Sequence, residues 1–286
     1  MSKALEVSNL NKSLGGFRLK NISFSLELGC ITGFVGANGA GKTTTIKLLL
    51  DLLKKDSGQI RYFGEGSGAD LTRVKNRLGF VLDEGCLYDC LTIAEMKNLV
   101  ASAYSDWDDG EFRKRLRQFS LDPKQKITTL SRGMRTKFAL SLALSHHADL
   151  LIMDEPTSGL DPLVRSELLD ILLEYMKTGD RCVLFSTHIV SDLERVADAL
   201  ILIDQGEIIL QEDKDALLDT HRIVKGDKDK LSEQTRALFM NLRETDYGFE
   251  GLTDEAEAVQ KRIPDALIEK ASIEDIFLGY TRRRMS

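Results

Sequence analysis

Residues 36–43 read Gly-Ala-Asn-Gly-Ala-Gly-Lys-Thr, a glycine-rich run closed by a lysine and a hydroxyl. An apolar, strand-like stretch precedes it, Ile31-Thr32-Gly33-Phe34-Val35. After it, Ile46, Leu49, Leu50 and Leu53 repeat at helical spacing. The run fits G-x-x-x-x-G-K-[ST] without deviation, and a strand before and a helix after are the context that pattern requires. Glycines let the backbone curl until several N–H groups point inward, and the helix start adds a partial positive charge. The run is therefore expected to cradle phosphate through Gly36, Asn38, Gly39, Gly41, Lys42, Thr43 and Thr44. Lys42 is placed to reach the β- and γ-phosphates, and the Thr43 hydroxyl to hold Mg²⁺.

The rest of the chain supplies the sheet that such a loop needs. Leu150-Leu151-Ile152-Met153 and Cys182-Val183-Leu184-Phe185 are continuous apolar runs. Between them Val164, Leu168, Ile171, Leu172 and Tyr175 share one helical face. Strand, helix, strand with unbroken apolar strands predicts an α/β fold whose parallel sheet is covered on both sides. Residues 4–28 alternate apolar and polar around Gly15-Gly16, which predicts antiparallel strands. Residues from about 85 to 148 read as mainly helical. After Gly206 the chain turns charged, and 211–286 is expected to form a small α+β appendage with strands near His221 to Lys225 and Tyr247 to Phe249.

Composition narrows the function classes. The 286 residues are 42% hydrophobic, enough for a folded core, and carry 39 basic against 45 acidic side chains. The acidic balance argues against a nucleic-acid-coating protein, so no nucleic-acid partner is expected. No apolar run approaches the ~18 residues of a membrane span, and the first ten residues lack the apolar core of a secretory signal. Cys30, Cys86, Cys90 and Cys182 are scattered without paired metal spacing, which predicts free thiols and a cytoplasmic location.

Three further residues fall where a parallel sheet gathers its ligands. Asp154 and Glu155 end the Leu150 to Met153 strand. There Asp154 can hold the magnesium shell and Glu155 can polarise an attacking water. His188 ends the next strand in Phe185-Ser186-Thr187-His188, where an imidazole can hydrogen-bond a γ-phosphate. His146 and His147 lie in a helix tail and are expected to be solvated.

Taken in order, these residues resemble the ATP-binding-cassette (ABC) ATPase family over roughly residues 4–210. Leu130-Ser131-Arg132-Gly133-Met134 resembles the family signature LSGGQ, about twenty residues before Asp154. Ser158-Gly159-Leu160-Asp161 resembles its D-loop, and His188 its switch histidine. The resemblance implies an ABC-type P-loop NTPase fold over residues 1–210. That unit would comprise an N-terminal antiparallel β subdomain and a helical subdomain at about 85–148, with 211–286 as an accessory region. It also implies Mg²⁺-dependent ATP hydrolysis by two subunits that sandwich ATP, the Ser131 hydroxyl and Gly133 N–H of each gripping the γ-phosphate of the other. The partner of such a pair is a polytopic membrane permease, which would hold this chain at the inner face of the cell membrane.

Three departures qualify that pattern. Asp83 stands where the family usually has a glutamine, and reads either as a metal ligand or as an exposed loop acid. Arg132 and Met134 replace a glycine and a glutamine of the signature, and Arg132 reads either as a partner for phosphate or the facing subunit or as a solvated side chain. The aromatic that usually stacks on adenine falls at Leu14, with Phe17 as the candidate substitute. Asp83 together with LSRGM is similar to Gram-positive exporter ATPases, including those for phenol-soluble modulins, and implies export of peptides or other amphipathic compounds. A non-transport ATPase acting on a soluble assembly partner is the alternative. The coiled-coil insertions of genome-maintenance relatives and the second cassette of ribosome-associated ones are not found.

Overall fold

The structure, a computed structural model, describes residues 2–65, 71–82 and 87–283. Strands β1 (Lys3–Leu14) and β2 (Phe17–Glu27) form an antiparallel hairpin around Gly15-Gly16, followed by β3 (Ile31–Val35) and helix α1 (Lys42–Leu49). Next come β4 (Ser57–Tyr62), α2 (Leu71–Asn76) and β5 (Leu78–Val81), then a helical stretch of α3 (Ile93–Ala101), α4 (Asp109–Gln118) and α5 (Arg132–Leu144). The chain returns through β6 (Leu150–Asp154), α6 (Pro162–Met176), β7 (Cys182–Thr187), α7 (Val190–Val196), β8 (Ala199–Asp204) and β9 (Glu207–Asp213). It ends in α8 (Lys214–Thr220), β10 (Arg222–Gly226), α9 (Glu233–Arg236), β11 (Asn241–Thr245), β12 (Gly248–Thr253), α10 (Ala256–Arg262), β13 (Leu267–Lys270) and α11 (Ile273–Arg283).

The central sheet has the order β5-β6-β7-β3-β8-β9, parallel except for β9, which runs antiparallel to β8. Every residue of β3, β6 and β7 is buried, as expected of strands covered on both faces. Their side chains alternate between two cores. Ile31, Val35, Leu151, Met153, Val183 and Phe185 join the helices on one face. Phe34, Leu150, Ile152 and Leu184 join α1 and the antiparallel sheet β2-β1-β4 on the other. Each such fully buried side chain contributes about 1.5–3 kcal/mol.

Local chemistry sets the helix starts. Thr92 and Glu95 form a reciprocal capping box on α3. Asp161 accepts from the N–H groups of Leu163 and Val164, and Pro162 fills the first turn of α6. Among the described residues, no helix is long and apolar enough to cross a membrane.

Strand β9 runs on to Asp213, so the central sheet crosses the boundary placed at residue 210. Residues 211–286 form an α+β appendage that is joined to the main unit. Strands β11-β12-β10-β13 have their own small core around Val224, Phe249, Val259 and Ile263, but Ile273 and Ile276 of α11 pack into the main core. His146, expected to be solvated, is not. It is 3% exposed, stacks on Tyr104 at 3.8 Å between centroids, and sets Nε2 3.0 Å from the Leu78 carbonyl oxygen. Burial pushes its pKa below the usual histidine value. His147, next along the chain, is exposed with Nε2 3.4 Å from Asp108.

Candidate functional site

The turn between β3 and α1 is shaped by its glycines. A Cβ on Gly36 would lie 2.4 Å from the Ile203 carbonyl oxygen, so only glycine lets the loop leave the sheet there. Gly41 has φ +114°, and a Cβ on it would meet Leu19 at 2.6 Å and Phe17 at 3.0 Å. Gly41 is also the residue from which α1 starts, so the first N–H groups of that helix open toward the loop.

Beside the loop lies an open cleft of about 570 Å³. Asn38, Gly39, Gly41, Lys42, Thr43 and Thr44 line it, with Glu155 on one side and Leu14 and Phe17 on another. Leu14 and Phe17 are cross-strand partners at the end of the β1–β2 hairpin. The hairpin thus carries an apolar wall to the mouth of the phosphate loop. The Lys42 ammonium, 5% exposed, donates to the carbonyls of Gly36 at 2.6 Å and Ala37 at 3.3 Å, and lies 3.3 Å from Glu155 Oε1.

The acids follow from strand register. Asp154 pairs with Ser186 across β6 and β7, and the Ser186 hydroxyl donates to Asp154 Oδ1 at 3.1 Å. Burial pushes the Asp154 pKa above the usual carboxylate value, while hydrogen bonds from Thr43 and Ser186 pull the other way. A threonine hydroxyl beside a carboxylate is a hard oxygen pair. Mg²⁺ takes few protein ligands and completes its shell with water and phosphate oxygens, so this pair suits it. No cluster of three acids, histidines or cysteines competes for a metal among the described residues.

Glu155 has φ +49°, in the left-handed region that an L-residue enters only when its surroundings hold it there. Its N–H donates to the Ser186 carbonyl at 2.9 Å, and its Oε2 lies 2.7 Å from His188 Nδ1 and 3.3 Å from the His188 amide nitrogen. The other oxygen, Oε1, is buried with no hydrogen-bond partner.

The structure brings most of the expected residues together and separates two. Phe17, the loop residues, Thr43, Asp154, Glu155 and His188 converge at the carboxyl ends of β3, β6 and β7. Ser131 and Gly133 stand apart, outside the lining of the cleft. Ser131 caps α5, its Oγ accepting from the Met134 N–H at 3.3 Å, and is exposed. Next to it, Arg132 lies across the D-loop: a Cβ on Gly159 would fall 2.9 Å from its Nη1. Asp83 lies outside the described residues. Sequence reasoning missed Ser186, although its place opposite Asp154 follows once the two strands are aligned. It also missed Thr157, Arg165 and Asp192, whose contacts carry no local signal.

Comparison with known proteins agrees with this fold. A family model described as ABC transporter matches residues 19–158. The linearmycin resistance ATP-binding protein LnrL of Bacillus subtilis (strain 168) is 36% identical over 212 residues, 72% of this chain and 68% of that protein. The bacitracin transport ATP-binding protein BcrA of Bacillus licheniformis is 31% identical over 243 residues, 84% of this chain and 79% of its own. A solved ATP-binding subunit of an ABC transporter superposes with a TM-score of 0.68 at 29% identity, covering 76% of this chain and 92% of that one. With an intact phosphate loop, an acid pair at the sheet end and relatives aligned over most of their length, the chain belongs to the ATP-binding subunits of ABC transporters, ATPases that power transport.

Proposed function

We propose that two cassettes close around ATP and drive a separate membrane permease that exports peptides or other amphipathic compounds. The second cassette is a copy of this chain or a paralogue. In each, Lys42 and the loop N–H groups hold the β- and γ-phosphates, while Thr43 and Asp154 hold Mg²⁺, which neutralises charge on the phosphates. Phe17 and Leu14 present an apolar wall to the base. Exposed Ser131 and half-buried Gly133, at the start of α5, take the γ-phosphate bound by the other subunit. The chain then sits at the inner face of the membrane through its permease. Export is supported by the relatives named for bacitracin transport and linearmycin resistance, and amphipathic cargo by the Asp83 and LSRGM pattern.

The observation that carries the chemistry is the Glu155 carboxylate. One oxygen is held by His188, while the other is buried, without a hydrogen bond and 3.3 Å from Lys42 Nζ at the edge of the cleft. Such an oxygen can accept a proton from a water attacking the γ-phosphate, and His188 keeps the acceptor oriented. Glu155→Gln keeps the shape and removes the base. Turnover is expected to fall about 10²–10³-fold with ATP still bound, and an ATP-dependent dimer to accumulate in light scattering. Wild-type turnover in that variant would sink the assignment of Glu155 as base.

A further inference from the structure

Two side chains carry the proposed hydrolysis, and both leave the sheet into loops. Glu155 follows β6 in a left-handed conformation, and His188 follows β7 with an exposed ring. A 2.7 Å contact between two such loop residues needs something to hold the loops in register. Behind it lies Asp192 on α7, 1% exposed. Its Oδ2 accepts from the Thr157 hydroxyl at 2.6 Å, and its Oδ1 from Arg165 Nε. Thr157, itself 1% exposed, is two residues beyond Glu155, and Asp192 is four beyond His188.

We infer that Asp192 is a positioning residue that, through Thr157, locks the Glu155 loop to the His188 loop and so sets the orientation of the catalytic carboxylate. The contacts close a ring: Glu155, Pro156, Thr157, across to Asp192, back along the chain to His188, and across to Glu155. Opening the Thr157–Asp192 side removes the tie beyond Glu155 and leaves its own contacts to Ser186, His188 and Lys42 to orient a residue whose backbone conformation is otherwise unfavourable. Arg165 steadies the ring from α6. It neutralises the buried carboxylate and also donates from Nη2 to Ser191 at 2.7 Å. Arg165 lies in the first turn of the helix that Asp161 caps, so the D-loop is tied to the same carboxylate. This inference rests on the assignment of Glu155 as the base.

The test deletes one hydroxyl. Thr157→Val keeps nearly the same volume and leaves the Asp192–Arg165 pair intact. Its kcat for ATP is expected to fall about 10–100-fold, the penalty of a reacting group displaced by an ångström or so, with KM changed by less than about twofold. Thr157→Ser restores the hydroxyl and is expected to recover to within about threefold of wild type. If Thr157 acts through Glu155, Thr157→Val adds nothing in the Glu155→Gln background, because the group being positioned is already gone. Thr157→Ala deletes the same hydroxyl with less bulk and carries the same expectations should the valine variant fold poorly. Wild-type turnover in the hydroxyl-deleted variants, or their full penalty persisting on top of Glu155→Gln, overturns the inference. Normal turnover of Glu155→Gln alone overturns the assignment of the base instead.

Discussion

Lys42 and Ser131 both stand at the start of a helix, α1 and α5, and both are expected to meet the same phosphate, yet their surroundings are opposite. Lys42 is almost fully buried, bonded to two loop carbonyls and flanked by Glu155. Ser131 is exposed, and its hydroxyl accepts from an N–H of its own helix. The first end is a finished pocket made by one chain. The second is an exposed surface, which on the proposed function becomes a binding element against a second cassette. Under the proposed function the difference separates binding from turnover: one chain holds a nucleotide, while the complete reaction centre calls for two.

The most severe way to break that division is Lys42→Ala. Removing a buried, charged donor costs about 2–5 kcal/mol. ATP affinity is therefore expected to weaken at least about 30-fold in isothermal titration of the single chain, and turnover to vanish. Retained affinity would show that the loop N–H groups alone hold the phosphates.

Ser131→Asp sharpens the other half. Aspartate caps a helix as well as serine does and suits the positive helix start, so α5 and the melting temperature are expected to hold. It also sets a negative charge where a phosphate is to be gripped. Turnover is expected to fall about 100-fold, while ATP affinity of the isolated chain stays within about twofold. A loss of affinity equal to the loss of turnover would place Ser131 in the pocket of its own chain.

The same contrast explains what could be read from the amino-acid sequence. The phosphate loop is contiguous, and its glycines answer to backbone sterics, so strand, turn and helix were legible from residues 31–53. The parallel strands were legible because burial on both faces leaves unbroken apolar runs. His146 was misread because hydropathy does not register a ring wedged between Tyr104 and the Leu78 carbonyl, contacts made across elements. The packing of Ile273 and Ile276 into the main core escaped for the same reason. Their segment looked detached because the charged strands between it and the sheet dominate its composition. Thr157, Arg165 and Asp192 are ordinary polar residues until the fold brings three separate segments together.

The smallest expected effect concerns the cost of keeping the finished pocket. Asp154 is buried, and its pKa is raised above the usual carboxylate value. A carboxyl whose folded pKa lies above its unfolded value favours folding when protonated. That contribution is fully present below the unfolded pKa of about 3.9 and is lost as pH rises through the folded value. At neutral pH, without a metal, the Asp154 charge is therefore a net cost to the folded chain. Asp154→Asn removes the charge and keeps the shape. In chelator, its melting temperature at pH 7 is expected to exceed wild type by about 2–4 °C, the scale of 1 kcal/mol in a domain of this size. The gap should close as pH falls toward 4, and at pH 7 it should shrink or reverse when Mg²⁺ and ATP are added, because only wild type then gains the ion's charge compensation. Ser131→Asn, measured alongside, is expected to show neither the rise nor its pH dependence, since a surface residue that bears no buried charge has none to relieve.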